Sequence, residues 1–320
     1  MKVCVATPYP LEELKGNSVT ADRIVGVLRE AGIEARASHG FDGEAADVLI
    51  SLHAVKGAQA VIDFQKAMPD GKSVVLITGT DIYEQLPEGS PTGMACLESV
   101  DRIAVVSERS IPSLPENFRG KAFVVPCSLD EIKLRAKPQS GPFVISVVGH
   151  LRPVKQSFTT IEAVAKHPEW DNVEVWQLGE ALDSACERIA RDWTKKDKRY
   201  RWFGGLPREE SLERCAQSQL TINSSRLEGG ANAVLEAMTM HVPVLASDIE
   251  GNRLLLGDDY PGYFENGALD FLLAKILGRE IDLSEWTRLA AKRLPLFSRE
   301  MERACWLDLL EFFFYPLEPK

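Results

Sequence analysis

Short apolar runs, each followed by a stretch of helical periodicity, recur from one end of this chain to the other, and that alternation leaves few folds open. In the first half the runs are Lys2–Ala6, Val48–His53, Val74–Ile77, Ile103–Val106 and Ala122–Pro126. They are near-continuously apolar rather than alternating. A strand reads that way when both faces of its sheet are covered, as in a parallel sheet flanked by helices. Between them lie a helix over Val19–Ala31, stopped by Gly32, a helix after His53 that runs to about Ala67, and one that ends near Glu98–Val100. A glycine just past the last helical turn is a common stop, because it enters the left-handed region without steric cost.

The pattern breaks over Cys127–Gly141, where Pro138, Gly141 and polar residues predict a linker, and then restarts. Strands are predicted at Phe143–Val148, Val173–Leu178, Tyr200–Phe203, Leu220–Asn223 and Val242–Ala246. Helices are predicted at Phe158–Lys166, Leu182–Arg191, Glu209–Gln217 and Ala231–Met240. The chain therefore reads as α/β, with two Rossmann-like, doubly wound parallel-sheet domains over residues 1–128 and 141–298. Such halves put ligands at the carboxyl ends of their strands, here in a cleft expected to close on its ligand. The tail reads as helices Leu269–Leu277, Leu283–Arg293 and Glu300–Tyr315. The last, about 299–320, carries Cys305, Trp306, Leu309, Leu310 and Phe313 at helical spacing and is expected to cross back, complete the first domain and pack across both halves.

Composition narrows the function classes. The 320 residues carry a formal charge of −10, which speaks against a nucleic-acid surface but permits a small anionic ligand held by a few local cations. No apolar run approaches the ~20 residues of a membrane span. The N-terminus reads as a strand rather than a leader, so a cytoplasmic protein without a membrane or nucleic-acid partner is expected. The six cysteines form no C-x-x-C pair and read as reduced thiols, with neither zinc site nor disulfide framework.

The richest stretch is Ser224-Ser225-Arg226-Leu227-Glu228-Gly229-Gly230-Ala231-Asn232, which leaves a strand and opens a helix that contains Glu236. Gly229, Gly230 and Ala231 let a ligand approach the backbone, and the helix start at 229–232 offers N–H groups to an anion such as phosphate. Carboxylates beside a phosphate repel it, so Glu228 and Glu236 suit neighbouring sugar or ribose hydroxyls; Glu236 is expected about two turns inside the helix. A second stretch, Gly149-His150-Leu151-Arg152-Pro153-Val154-Lys155, follows the first strand of the second half and puts Arg152 and Lys155 where an anion would sit. Both stretches also read as exposed loops. In the first half, Gly16-Asn17 suits a tight turn that presents amides, His53 and Lys56 leave a strand into a loop, and Thr78-Gly79-Thr80-Asp81 follows another strand. G-x-S-x-G, P-loop, H-E-x-x-H and post-strand G-x-G-x-x-G motifs are absent.

Glu228 and Glu236 with the glycines between them resemble the E-x7-E element of retaining GT-B glycosyltransferases of family 4. Gly149–Lys155 resembles that family's G-R-L-x-x-x-K element, with His150 where Arg is usual. Leu49–Ala54, Thr78–Tyr83, Val148–Arg152, Ser224–Asn232, Ala246–Asn252 and Leu256–Phe264 are similar to the selenosugar synthases of selenoneine biosynthesis. The resemblance implies a GT-B fold and a UDP-sugar donor, UDP-N-acetylglucosamine, as co-substrate. It also implies selenophosphate as the small anionic acceptor, C–Se bond formation with loss of UDP, and contacts with other enzymes of the pathway. No cofactor or metal is then expected. The implied roles are Arg152, Lys155 and the amides of 229–232 on the diphosphate, Glu236 on the ribose and Glu228 on the sugar. Leu206 would border the base, and His53, Lys56, Gly16, Asn17 and Thr80 would meet the acceptor.

Two alternatives stand beside this. One is an ordinary family 4-type UDP-sugar transferase acting on a hydroxyl of a small metabolite. The other is a GT-B-shaped epimerase or binding protein.

Overall fold

The computed structural model describes residues 1–12, 16–77, 79–129, 132–265 and 267–314. Thr78, Lys15 and the last residues of the predicted C-terminal helix, 315–320, lie outside the described residues. The chain divides into two compact units, Met1–Asp130 with Pro295–Lys320 and Glu131–Leu294.

The first unit is built from β1 (Lys2–Thr7), α1 (Gly16–Glu30), β2 (Glu34–His39), β3 (Val48–Leu52), α2 (Ala58–Ala67), β4 (Lys72–Leu76), α3 (Pro91–Ser99), β5 (Arg102–Val105) and β6 (Ala122–Val124). Its six strands form one parallel sheet in the order β2-β1-β3-β4-β5-β6. Strand β3 is buried throughout, and β1 and β4 are buried beyond their first residues, Lys2 and Lys72, as their near-continuous apolar runs require. The edge strand β2 was not expected: with sequence EARASH it is only partly covered and presents no apolar run. Gly16 and Asn17 do not form a tight turn but are the first two residues of α1.

The second unit runs through β7 (Phe143–Val148), α4 (Thr159–Ala165), β8 (Val173–Leu178), α5 (Ser184–Lys196), β9 (Tyr200–Trp202), α6 (Arg208–Ala216), β10 (Leu220–Asn223), α7 (Asn232–Met240), β11 (Val244–Ser247), α8 (Glu250–Leu256), β12 (Tyr263–Phe264), α9 (Leu269–Leu277) and α10 (Leu283–Ala291). Its sheet is also parallel and six-stranded, in the order β12-β11-β10-β7-β8-β9. Helix α8 and the two-residue strand β12 escaped the sequence reading.

The stretch expected as a linker is largely tied down. Ala136, Lys137 and Gln139 donate backbone N–H bonds to Met240 O, Ala216 O and Gln217 O at 2.6, 2.7 and 3.1 Å. Ser128, on the other side, belongs to the first unit.

Helix α11 (Arg299–Phe314) returns to the first unit. Its Trp306, Leu309 and Leu310 are buried in one core with Ile24, Val27 and Leu28 of α1 and with Val3 and Val5 of β1. This face was expected to pack across both halves; the buried contacts of its apolar stripe are those with the core of the first unit. Trp306 alone, wholly buried, contributes about 2–3 kcal/mol through area removed from water. One turn earlier, Glu302 is buried as well. Its carboxylate accepts from Ser128 N at 2.9 Å and Ser128 Oγ at 2.5 Å, with Arg23 Nε 3.5 Å away. Arg23 also donates to Ser128 O at 2.8 Å. A buried carboxylate persists only when paired and hydrogen-bonded, and this one holds the segment through which the chain leaves the first unit.

Candidate functional site

In each sheet the strand order reverses once beside its first strand. In the second unit, β7 lies between β8 and β10, so the strand order reverses between the loops after β7 and β10, at the carboxyl ends where doubly wound sheets bind ligands. Both stretches singled out in the sequence are these loops.

Gly149 leaves β7 at φ +144°, and the facing Gly179 at φ +151° leaves so little room that a Cβ there would overlap Gly149 O. The loop passes the exposed Arg152 and reaches Lys155 in a short 3₁₀ turn. From the neighbouring loop comes Glu228, buried, and Lys155 Nζ donates to its Oε1. Ser225 Oγ donates to the same oxygen at 2.6 Å. The structure thus brings two predicted residues into one ion pair, although the reading above assigns them to different parts of a ligand. Glu228 is pressed from behind by α8: a Cβ on Gly251 would overlap Glu228 O. A pocket of about 10 Å³, enough for one water, lies against Gly149, Lys155, Ser157, Asn223, Ser224 and Ser225.

Helix α7 begins at Asn232, with Ala231 as N-cap and no side chain capping its first N–H groups. Gly229 and Gly230 form the turn before it. Glu236 is therefore one turn into the helix, not two. Burial raises its carboxyl above the ordinary range, and Arg208 opposes that shift. Arg208, the first residue of α6, meets Glu236 Oε1 through Nη2 at 3.1 Å and Nε at 3.2 Å. Sequence reasoning missed Arg208, since nothing local links positions so far apart. Leu206 packs with Phe203 and Val148 against Trp176, and Arg214 lies 4.1 Å over the Phe203 ring. His150 is exposed.

The first unit has its own reversal, between β1 and β3. The loops after these strands carry Tyr9 and Lys56, and Lys56 Nζ donates to Tyr9 OH at 2.7 Å while lying 5.4 Å from the ring centre. Tyr9 is a second residue that sequence reasoning did not select. His53 closes β3 in the left-handed conformation, φ +77°, uncommon for a residue with a Cβ. Its ring is buried. Nδ1 accepts from the N–H groups of Val55 and Lys56, both at 3.2 Å, which leaves the proton on Nε2, 3.1 Å from Thr80 Oγ1. Burial lowers the His53 pKa, and neighbouring Asp81 only partly offsets this. Both ring nitrogens are thus engaged within the protein, and Lys56 is the cation this loop presents, whereas the resemblance implied that His53 and Lys56 alike would meet the acceptor. Asp81, wholly buried, accepts from Ala54 N at 3.0 Å and opens a single π-helical turn that follows Thr80.

These bonds set a pH dependence. With His53 depressed below 6.5 in the folded state, the unfolded chain binds more protons over the interval between the two values. Stability then rises with pH there and falls on acidification. The thermal midpoint of the first unit is expected to drop as pH falls from about 7.5 to about 5.5, and His53→Asn, which tolerates the left-handed conformation, should flatten the slope. Equal slopes for both proteins contradict this.

Among the described residues, no group of three or more His, Cys, Asp or Glu side chains is placed to hold a metal. No helix among them is long and apolar enough to cross a membrane. All six cysteines are free thiols.

Two parallel six-stranded sheets with helices, each with loops converging where its strand order reverses, make the GT-B class of fold. Sucrose-phosphate synthase from Thermosynechococcus elongatus superposes with a TM-score of 0.81 at 12% identity, over 98% of this chain and 99% of that one. HepE from Anabaena, solved with UDP-glucose, superposes with a TM-score of 0.73 at 15% identity, over 97% and 99%. Residues 128–275 match the family model of Glycosyl transferases group 1. Glycosyltransferase 1 domain-containing protein 1 of Xenopus tropicalis is 28% identical over 194 residues, 59% of this chain. The match spans 56% of that relative, so the chain covers little more than half of its length.

Proposed function

We propose that this protein is a UDP-sugar glycosyltransferase that joins selenophosphate to the anomeric carbon of UDP-N-acetylglucosamine. The observation that carries the donor half is the meeting of Lys155 and Glu228 at the strand-order reversal, directly ahead of the uncapped start of α7. The group 1 match of residues 128–275 and the UDP-glucose in the HepE structure support the same reading.

Selenium attacks the anomeric carbon. The bond from that carbon to the diphosphate oxygen breaks, and its electron pair leaves with UDP. Negative charge grows on the diphosphate as the bond breaks, and positioned cations and amides stabilise it more than the ground state. Lys155, Arg152 and the N–H groups around Asn232 supply that field here, with no metal required. Glu228 accepts from sugar hydroxyls and Glu236, oriented by Arg208, from the ribose. In the acceptor half, Lys56 and the opening amides of α1 at Gly16 and Asn17 meet an anion. An acceptor already ionised and strongly nucleophilic needs a cation rather than a general base, which suits a neutral, fully engaged His53.

The test is mass spectrometry of the product from labelled UDP-N-acetylglucosamine and selenophosphate, with and without a chelator. A sugar bearing selenium is expected, with UDP released in equal amount and no effect of the chelator. UDP release that ignores selenophosphate but follows an added alcohol assigns the chain to the hydroxyl transferases. An isomerised sugar with no transfer assigns it to the epimerases.

A further inference from the structure

We infer that the adjacent Ser224 and Ser225 are positioning residues that set the two halves of the Lys155–Glu228 pair separately, an inference that rests on the donor-site reading above. Both serines are buried and face opposite partners. Ser224 Oγ lies 2.9 Å from Gln156 O and 3.2 Å from Lys155 O, so it clamps the backbone of the loop that carries the ammonium. Arg226 N adds a bond to Val154 O at 2.8 Å in the same loop. Ser225 Oγ instead donates to the carboxylate of Glu228, and its own carbonyl accepts from Ser247 Oγ at 2.5 Å. Ser247 is fixed in turn by the buried Asn252, whose amide donates to Ser247 O at 2.9 Å and Oγ at 3.1 Å. The chain of bonds runs from α8 through the end of β11 to Glu228.

Each serine governs a different part of the ligand. Lys155 addresses the diphosphate, which UDP contains. Glu228 addresses the sugar, which UDP lacks. A carboxylate bound by Lys155 alone rotates toward the ammonium, whereas the Ser225 hydroxyl fixes one oxygen and leaves the other a defined direction. Charge-assisted bonds of this kind are the stronger ones, so losing one is felt at the reacting carbon.

The experiment measures UDP affinity by calorimetry, and UDP release from UDP-N-acetylglucosamine with selenophosphate or with water as acceptor. Ser225→Ala is expected to lower turnover by roughly 10- to 100-fold while UDP affinity stays within about twofold. Ser225→Thr, which keeps the hydroxyl, should recover most of the loss. Ser224→Ala is expected to weaken UDP binding by roughly fivefold, the scale of one neutral hydrogen bond. A Ser225→Ala protein that loses affinity and turnover together, or variants that match the wild type in both, overturn the assignment. A Ser225→Ala protein with normal UDP affinity but a turnover defect that Thr does not rescue also overturns it. A wild-type protein that neither binds UDP nor releases it removes the donor-site reading itself, an outcome distinct from an active wild type with indifferent variants.

Discussion

Lys155→Ala is expected to reduce UDP release from the donor by about 10²-fold, because on the proposed reading it removes the half-buried cation that stabilises the departing diphosphate. The side chain is held by Glu228 and is only 21% exposed, so its ammonium acts through a lower dielectric than at the open surface. The alanine variant also leaves the Glu228 carboxylate buried without the cation that pairs with it, with only Ser225 as its partner. Lys155→Arg restores the charge but not the compact geometry, so partial recovery is expected. Steady-state release assays check this, with circular dichroism to confirm folding. Turnover within about twofold of the wild type for the alanine variant would mean the diphosphate sits elsewhere.

Glu302→Ala carries the largest expected cost in stability. It removes the acceptor for both Ser128 donors and the partner of Arg23 in a region closed to water. Breaking a buried pair on one side typically costs ~3 kcal/mol or more. The loss should be confined to the first unit, so hydrogen exchange of β1 and α1 should quicken while β7 and α7 keep their protection. Unchanged exchange in β1 and α1 contradicts it. Ala is a stricter probe than Gln, which keeps an acceptor for Ser128.

The particular residues show what the sequence disclosed and where it stopped. Inner strands such as Val48–Leu52 and Phe143–Val148 were legible because burial on both faces favours a near-continuous apolar run. Edge strand β2 was not, since half of it meets water and its Arg36 and Ser38 erase the run. Lys155, Glu228 and Glu236 were legible as candidates from their loops, but which of them touch depends on strand order. Strand order is a property of the whole sheet and of no local window. Arg208 and Tyr9 were hidden for the same reason: their partners, Glu236 and Lys56, come from distant elements. The state of His53 could not be read from its neighbours in sequence, because the two N–H groups on Nδ1 depend on a left-handed turn unusual for histidine. Gly16-Asn17 was read as a turn by residue type, whereas the helix that follows absorbed both.

The interrupted build of the first unit has a consequence for biosynthesis. A ribosome releases β1 to β6 long before it makes α11, yet the face of α1 formed by Ile24, Val27 and Leu28 is finished by Trp306, Leu309 and Leu310. The half translated first must therefore wait, partly open, while the contiguous half translated after it can already condense. A released chain cut before residue 299 would carry every element of the second unit and an unfinished first one.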